Sequence, residues 1–168
     1  GKPDAIQTTL RQASLSVQLG TGTGSFEPGE TLEVGSQPTS VRVADFNSDG
    51  RVDLVATNSD GDSVSVLLGN GDGTFNEQQS FAVGRSPRTV VVADVDGDGV
   101  LDLAVANYND GSISVLLGNE DGSFGDQQSF DVGSRPYSLT IADVDGDGLT
   151  DLVAANSAGN TVSVLLGN

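Results

Sequence analysis

The stretch VADVDGDGVLDLAVAN, residues 92–107, places Asp94, Asp96, Asp98 and Asp102 within nine residues and then runs into an apolar segment. Carboxylates this close repel one another unless a positive charge sits among them. The pattern recurs at Asp45, Asn47, Asp49 and Asp53, and again at Asp143, Asp145, Asp147 and Asp151. Each copy has glycine at the sixth loop position (Gly50, Gly99, Gly148), where a sharp turn is needed. A hard cation such as calcium takes about six to eight oxygens at about 2.3–2.6 Å, and a tight loop that turns every second side chain inward can supply them. The seventh residues, Arg51, Val100 and Leu149, would each add a backbone carbonyl. Carboxylate-rich, flexible, all-oxygen coordination suits calcium better than magnesium or a soft transition metal, so three calcium sites are expected. The first loop should be the weakest, because Asn47 puts a neutral amide where the others carry Asp96 and Asp145.

These loops are not EF-hands. The twelfth position, which there carries a bidentate Glu, holds Ala56, Val105 and Ala154 inside apolar segments. Asp, Asn and Gly also favour turns without any ion. Three copies that each keep all four ligand positions argue against that simpler reading.

The loops are positioned by a repeat. VADFNSDGRVDLVATN (43–58), VADVDGDGVLDLAVAN (92–107) and IADVDGDGLTDLVAAN (141–156) recur at a step of 49 residues, and Pro38, Pro87 and Pro136 keep the same step. Each unit reads as four short strands, A to D, bounded by Gly, Asn, Asp and Pro. In the middle unit these fall at about 89–94, 101–107, 112–118 and 124–132. Strand B is apolar on both faces and is expected to be interior, while GNGDGTF, GNEDGSF and GTGTGSF read as Gly-rich C–D hairpin turns. Four antiparallel strands in such a unit describe a β-propeller blade, with a β-solenoid as the competing architecture. The expected class is all-β, with about 3.4 repeats forming an incomplete ring. The register implies one propeller segment over 1–168, with a partial blade (B-C-D) at 1–34, blades at 35–83 and 84–132, and a partial blade (A-B-C) at 133–168. Asp4 aligns with the ninth position of a fourth loop whose other ligands are missing, so no ion is expected there.

Composition narrows the chemistry. With 24 acidic residues against 7 basic ones the net charge is −17, which disfavours nucleic acid and anionic membranes and favours cations. The chain has no Cys and no His, which excludes disulfides, thiolate or imidazole metal sites, and Ser–His or Cys–His nucleophiles. No apolar run approaches the roughly 18 residues of a membrane span, and the N-terminus lacks a basic start and an apolar stretch. It does not begin with Met, so a processed product or a piece of a longer chain is expected.

The motif D-x-[DN]-x-D-G-x-x-D, followed by an apolar strand and then VSVLLGNGDGTF, resembles the FG-GAP/VCBS repeats of integrin α-subunit-type β-propellers over essentially the whole chain. The resemblance implies calcium in the acidic loops 45–53, 94–102 and 143–151, on the lower face of the blades. It does not carry integrin function, since nothing here resembles the inserted ligand-binding domain. On the opposite face, the B–C and D–A loops gather Arg11, Arg85, Arg88, Arg135, Tyr108 and Tyr137, with Arg42 near the start of an A strand. Arg and Tyr are common interface anchors, so a protein or glycan ligand at Arg85, Arg88, Tyr108, Arg135 and Tyr137 is one reading, and solubilising loop residues the other. The expected function is a non-catalytic scaffold for extracellular or cell-surface adhesion or recognition. The alternatives are part of a secreted polysaccharide-active enzyme or an integrin-like lectin. Other blades of a longer chain, or a second copy, are expected to complete the ring.

Overall fold

The computed structural model describes residues 5–9 and 13–168; Asp4 and Arg11 lie outside the described residues. Valine-, isoleucine- and threonine-rich segments punctuated by Gly, Asn and Asp fold into short strands, as their β-branched side chains favour. They are β1 (Ala5–Thr9), β2 (Ser14–Gly20), β3 (Phe26–Glu33), β4 (Pro38–Ala44), β5 (Asp53–Asn58), β6 (Ser63–Leu67) and β7 (Gln79–Ala82). They continue with β8 (Pro87–Ala93), β9 (Asp102–Asn107), β10 (Ser112–Leu116), β11 (Gln128–Asp131), β12 (Pro136–Ala142), β13 (Asp151–Asn156) and β14 (Thr161–Leu165). Among the described residues there is no helix, and so none long and apolar enough to cross a membrane.

Four antiparallel sheets follow one another along the chain, β1-β2-β3, β4-β5-β6-β7, β8-β9-β10-β11 and β12-β13-β14. Each is a propeller blade, and the ring they form is not closed. The first strands of successive blades, β4, β8 and β12, pack against one another on the inside of the arc. The expected interior strand is buried along its whole length in β5 and β9. The core lies between blades: Leu15, Val17, Leu32 and Val34 meet Leu54, Ala56 and Leu67. Val55, Val64 and Val66 meet Val90, Leu103 and Leu116 in the next layer, and Ala104, Ile113 and Val115 meet Leu139, Leu152 and Ala154 in the last. Each fully buried Val or Leu contributes about 1.5–3 kcal/mol. The outer face of the last blade has no such cover, and Val162, Val164 and Leu166 are 65%, 46% and 57% exposed.

Two departures from the expected strands have local causes. The D strand expected at 124–132 is interrupted. Phe124 forms an isolated bridge with Gly118, and β11 begins only at Gln128, because the intervening Gln127 side chain accepts a hydrogen bond from buried Ser114 Oγ. Gly29 occupies the equivalent place in β3, where the strand continues but its register against β2 shifts between Ser16↔Thr31 and Gln18↔Pro28. Each complete A strand also carries a bulge at its second residue. Pro87 pairs with Asn107 and Thr89 with Ala106, which leaves Arg88 as the extra residue, as are Thr39 in β4 and Tyr137 in β12. A bulge re-aims a side chain; here Tyr137 is exposed, while Arg88 is half-buried with its guanidinium over the Tyr108 ring.

Candidate functional site

Each acidic loop joins strands A and B at one end of its blade, and its turn is built from its own carboxylates. Gly97 and Gly99 N–H donate to the two oxygens of Asp94, at 2.7 and 2.9 Å. Gly146 and Gly148 do the same to Asp143, at 2.6 and 3.0 Å. The backbone turns at the fourth and sixth positions with positive φ, 79° and 88° at Gly97 and Gly99. A Cβ at either glycine would meet nothing within 4 Å, so conformation and not space calls for glycine there. In the first loop the fourth position is Ser48, held at φ 56°, a conformation unfavourable for a non-glycine residue.

The structure brings the first, third and ninth carboxylates together in two of the loops. Asp94, Asp96 and Asp102 each offer an oxygen, all within 4.8 Å of one another, and Asp143, Asp145 and Asp151 do likewise. These donor sets fit a hard cation. Asp98 and Asp147 stand outside both groups and accept the N–H of Val100 and Leu149, at 2.7 and 2.9 Å. In the first loop Asp45, Asp49 and Asp53 form no such group, although Asp45 and Asp49 cap the turn in the same way. The third position here is the neutral Asn47, whose Nδ2 donates to Asp49 at 3.1 Å, and the Arg51 guanidinium lies 3.5 Å from the same carboxylate.

The ninth-position carboxylates have a second role that the spacing alone did not disclose. Asp102 is buried, and its two oxygens accept Val95 N–H and Gly118 N–H, both at 2.8 Å. Asp53 holds Phe46 and Gly69, and Asp151 holds Val144 and Gly167, in the same manner. Each therefore ties the acidic loop to the C–D turn of its own blade. Burial pushes the Asp102 carboxyl above its ordinary range, against the two backbone donors, and the charges of Asp96 and Asp98 push it the same way. The clue lay in two residue types that keep step with the repeat, the Asp that opens strand B and the glycine that follows SVLL.

At the opposite end the candidate ligand residues come together between the third and fourth blades. Arg88 Cζ lies 5.1 Å from the Tyr108 ring centroid and Arg135 Cζ 5.4 Å, while Tyr137 meets Tyr108 edge-on at 6.2 Å. Arg88 Nε is buried without a hydrogen-bond partner, and Tyr137 is 58% exposed. Arg85 is instead paired with Asp110 at 2.6 Å, which raises the guanidinium and holds the Asp110 carboxyl low through Arg85's backbone N–H first and its side chain second. An open groove of about 690 Å³ runs past Arg85, Tyr108, Asp110, Asp131 and Arg135. Arg42 stands apart, bonded to the Val41 carbonyl. Sequence reading missed a buried link beneath this face. Asn58, Asn107 and Asn156 close strand B and donate to hydroxyls on strand C, and a Cβ on Gly35, Gly84 or Gly133 would strike them.

A family model described as FG-GAP-like repeat matches residues 1–56, 45–105 and 94–154. Comparison with curated proteins returns no match. Among solved structures, a protein from Lactobacillus plantarum superposes with TM-score 0.60 at 16% identity, over 98% of this chain and 53% of that one. An Agrocybe aegerita lectin, described for specific recognition of non-reducing terminal N-acetylglucosamine, superposes with TM-score 0.54 at 19% identity, over 94% of this chain and 47% of that one. The Photorhabdus luminescens Tc holotoxin pore matches at 23% identity with TM-score 0.49, over 90% of this chain and 8% of that one. The chain thus spans about half the length of the first two proteins and a small part of the third, and at these identities the likeness is one of fold.

Proposed function

Because this chain belongs to the FG-GAP-like repeat family, whose model covers it from residue 1 to residue 154, we propose that it is a calcium-stabilised propeller module serving as a non-catalytic scaffold for recognition outside the cell or at its surface. The observation that carries the reading is the pair of carboxylate triads, Asp94–Asp96–Asp102 and Asp143–Asp145–Asp151, each gathered on a tight loop. Bound calcium supplies the charge that offsets their mutual repulsion. The chain's own part is to pre-form the turn through backbone donors to Asp94 and Asp143, and to pass the loop's order to the C–D turn through Asp102 and Asp151. An ion that binds only the folded chain adds RT ln(1 + [L]/Kd), about 2.7 kcal/mol at a hundredfold excess over Kd. Melting curves with EDTA and with millimolar calcium test this: calcium raises the melting temperature, and identical curves refute the reading.

The ligand of the scaffold is sought at the Arg88, Tyr108, Arg135 and Tyr137 cluster, where two guanidinium groups lie over one ring and Tyr137 stands exposed beside it. A protein or a glycan would find there stacked aromatic and guanidinium surface. The fold-level likeness to a lectin favours a glycan arm in the experiment. A glycan array probed with the chain and with Tyr137→Ala decides it, a signal lost in the variant supporting the cluster and an unchanged one dismissing it.

A further inference from the structure

Between the third and fourth blades the chain departs from its own repeat at three neighbouring positions. At the 49-residue step, Arg88, Tyr108 and Arg135 correspond to Thr39, Ser59 and Ser86. Those small residues close on the chain itself. Thr39 Oγ1 lies 2.9 Å from Thr57 Oγ1 and donates to the Pro87 carbonyl at 3.0 Å, Ser59 is buried, and Ser86 Oγ accepts from Asn109 at 2.8 Å. The two arginines do not close in this way. Neither guanidinium has a hydrogen bond or an ion pair to a described residue, and both are held over the Tyr108 ring. Arg135 also lacks the acid that its counterpart has: Gln37 donates to Asp60, and the position of Asp60 is Ala158 in the last blade. A ring face attracts a cation, yet two guanidinium groups at one ring repel each other, and a buried N–H without an acceptor is a cost. An anion between them would relieve both.

The surroundings narrow that anion. A carboxylate is planar and accepts two parallel N–H bonds from a guanidinium fork. The adjoining groove of about 690 Å³ carries Asp110 and Asp131 on its wall, the first already bonded to Arg85. Their oxygens can accept protons from hydroxyl groups and would repel a second anionic group. The net charge of −17 likewise turns away a densely charged polymer. What fits is one carboxylate beside several hydroxyls, which is the chemistry of a sugar acid and not of an acidic peptide or a polyanion.

Resting on the reading of this cluster as the ligand site of the scaffold, we propose that Arg88 and Arg135 bind the carboxylate of a uronic acid residue in a glycan, with the sugar hydroxyls toward the Asp131 side of the groove. The test titrates the calcium-loaded full chain, without excess calcium, into two labelled trisaccharides, one of galacturonate and one ending in glucuronate, each beside its methyl ester, and follows fluorescence anisotropy. Saturable binding of at least one free acid is expected, at least about tenfold tighter than its ester. Arg88→Met and Arg135→Gln should each weaken it by a similar factor, whereas Arg42→Gln, which removes the same charge elsewhere, should not. Arg135 is exposed, so its variant tests the site whether or not Arg88→Met folds. The proposal is overturned by no saturable binding at about 1 mM chain, by equal binding of acid and ester, by equal loss in Arg42→Gln, or by tighter binding of a labelled triglutamate peptide. Binding that survives both arginine variants and vanishes in EDTA also overturns it, since the carboxylate would then sit on a loop-bound ion. A neutral glycan whose array signal is lost in Tyr137→Ala would leave the cluster as the ligand site and refute the uronate alone.

Discussion

The ninth-position aspartates are the residues on which the loops turn, because each is both a candidate ligand and a buried acceptor for two backbone N–H groups. The two roles separate in EDTA, where no ion contributes. Asp102→Asn puts an amide where two donors converge and leaves one of them unpaired, so urea denaturation in EDTA should show a loss of about 2–3 kcal/mol. Asp98→Asn keeps its acceptor for Val100 N–H and should cost under about 0.5 kcal/mol. Equal losses would mean that Asp102 does not tie loop to turn. The raised Asp102 carboxyl also fixes a sign. Between the ordinary value of 3.8 and its own higher one, the ion-free fold holds a proton that the unfolded chain has released, so this group's contribution to stability falls as pH rises across that interval. Asp110, held low by Arg85, acts oppositely: its contribution is present above 3.8 and lost as pH falls through its own lower value. Calcium needs Asp102 without its proton. The calcium-induced rise in melting temperature should therefore grow from pH 4 to pH 7, and a constant rise would contradict the assignment.

Among elements, the three acidic loops share one backbone plan but not one charge arrangement. In the first, Asn47 and Arg51 both engage Asp49, and no triad of carboxylates forms. Asn47→Asp restores the third carboxylate and removes the amide donor to Asp49, so isothermal titration calorimetry should show tighter calcium binding at this loop. A parent first loop that binds more tightly than the other two would overturn the charge argument. The repeat made much of this legible in advance, because strand B is continuously apolar, the loop residues keep a 49-residue step, and Pro, Gly and Asn mark the turns. The bulges at Arg88 and Tyr137 were not legible, since one extra residue in a strand leaves the alternation of its neighbours readable either way. Nor was the break before β11, which depends on Gln127 finding a hydroxyl on the adjacent strand. Arg and Tyr at the loop ends suggested a cluster, but only the packing of adjacent blades brings Arg88, Tyr108 and Arg135 within stacking range.

Taken as a whole, the molecule is an open arc of four blades whose acidic loops make one end strongly charged. The last face exposes Val162, Val164 and Leu166. Charge acts at the same scale. Three acidic loops lie at the same end of their blades within a chain of net charge −17, so without calcium their repulsion opposes the fold. Raising sodium chloride from 0.01 M to 1 M shortens the screening length from about 30 Å to about 3 Å. In EDTA the melting temperature should rise steeply over this range, while the calcium-loaded protein, its loops already neutralised, should move much less. Parallel salt dependences in the two states would show that the carboxylate loops are not where the destabilising charge resides.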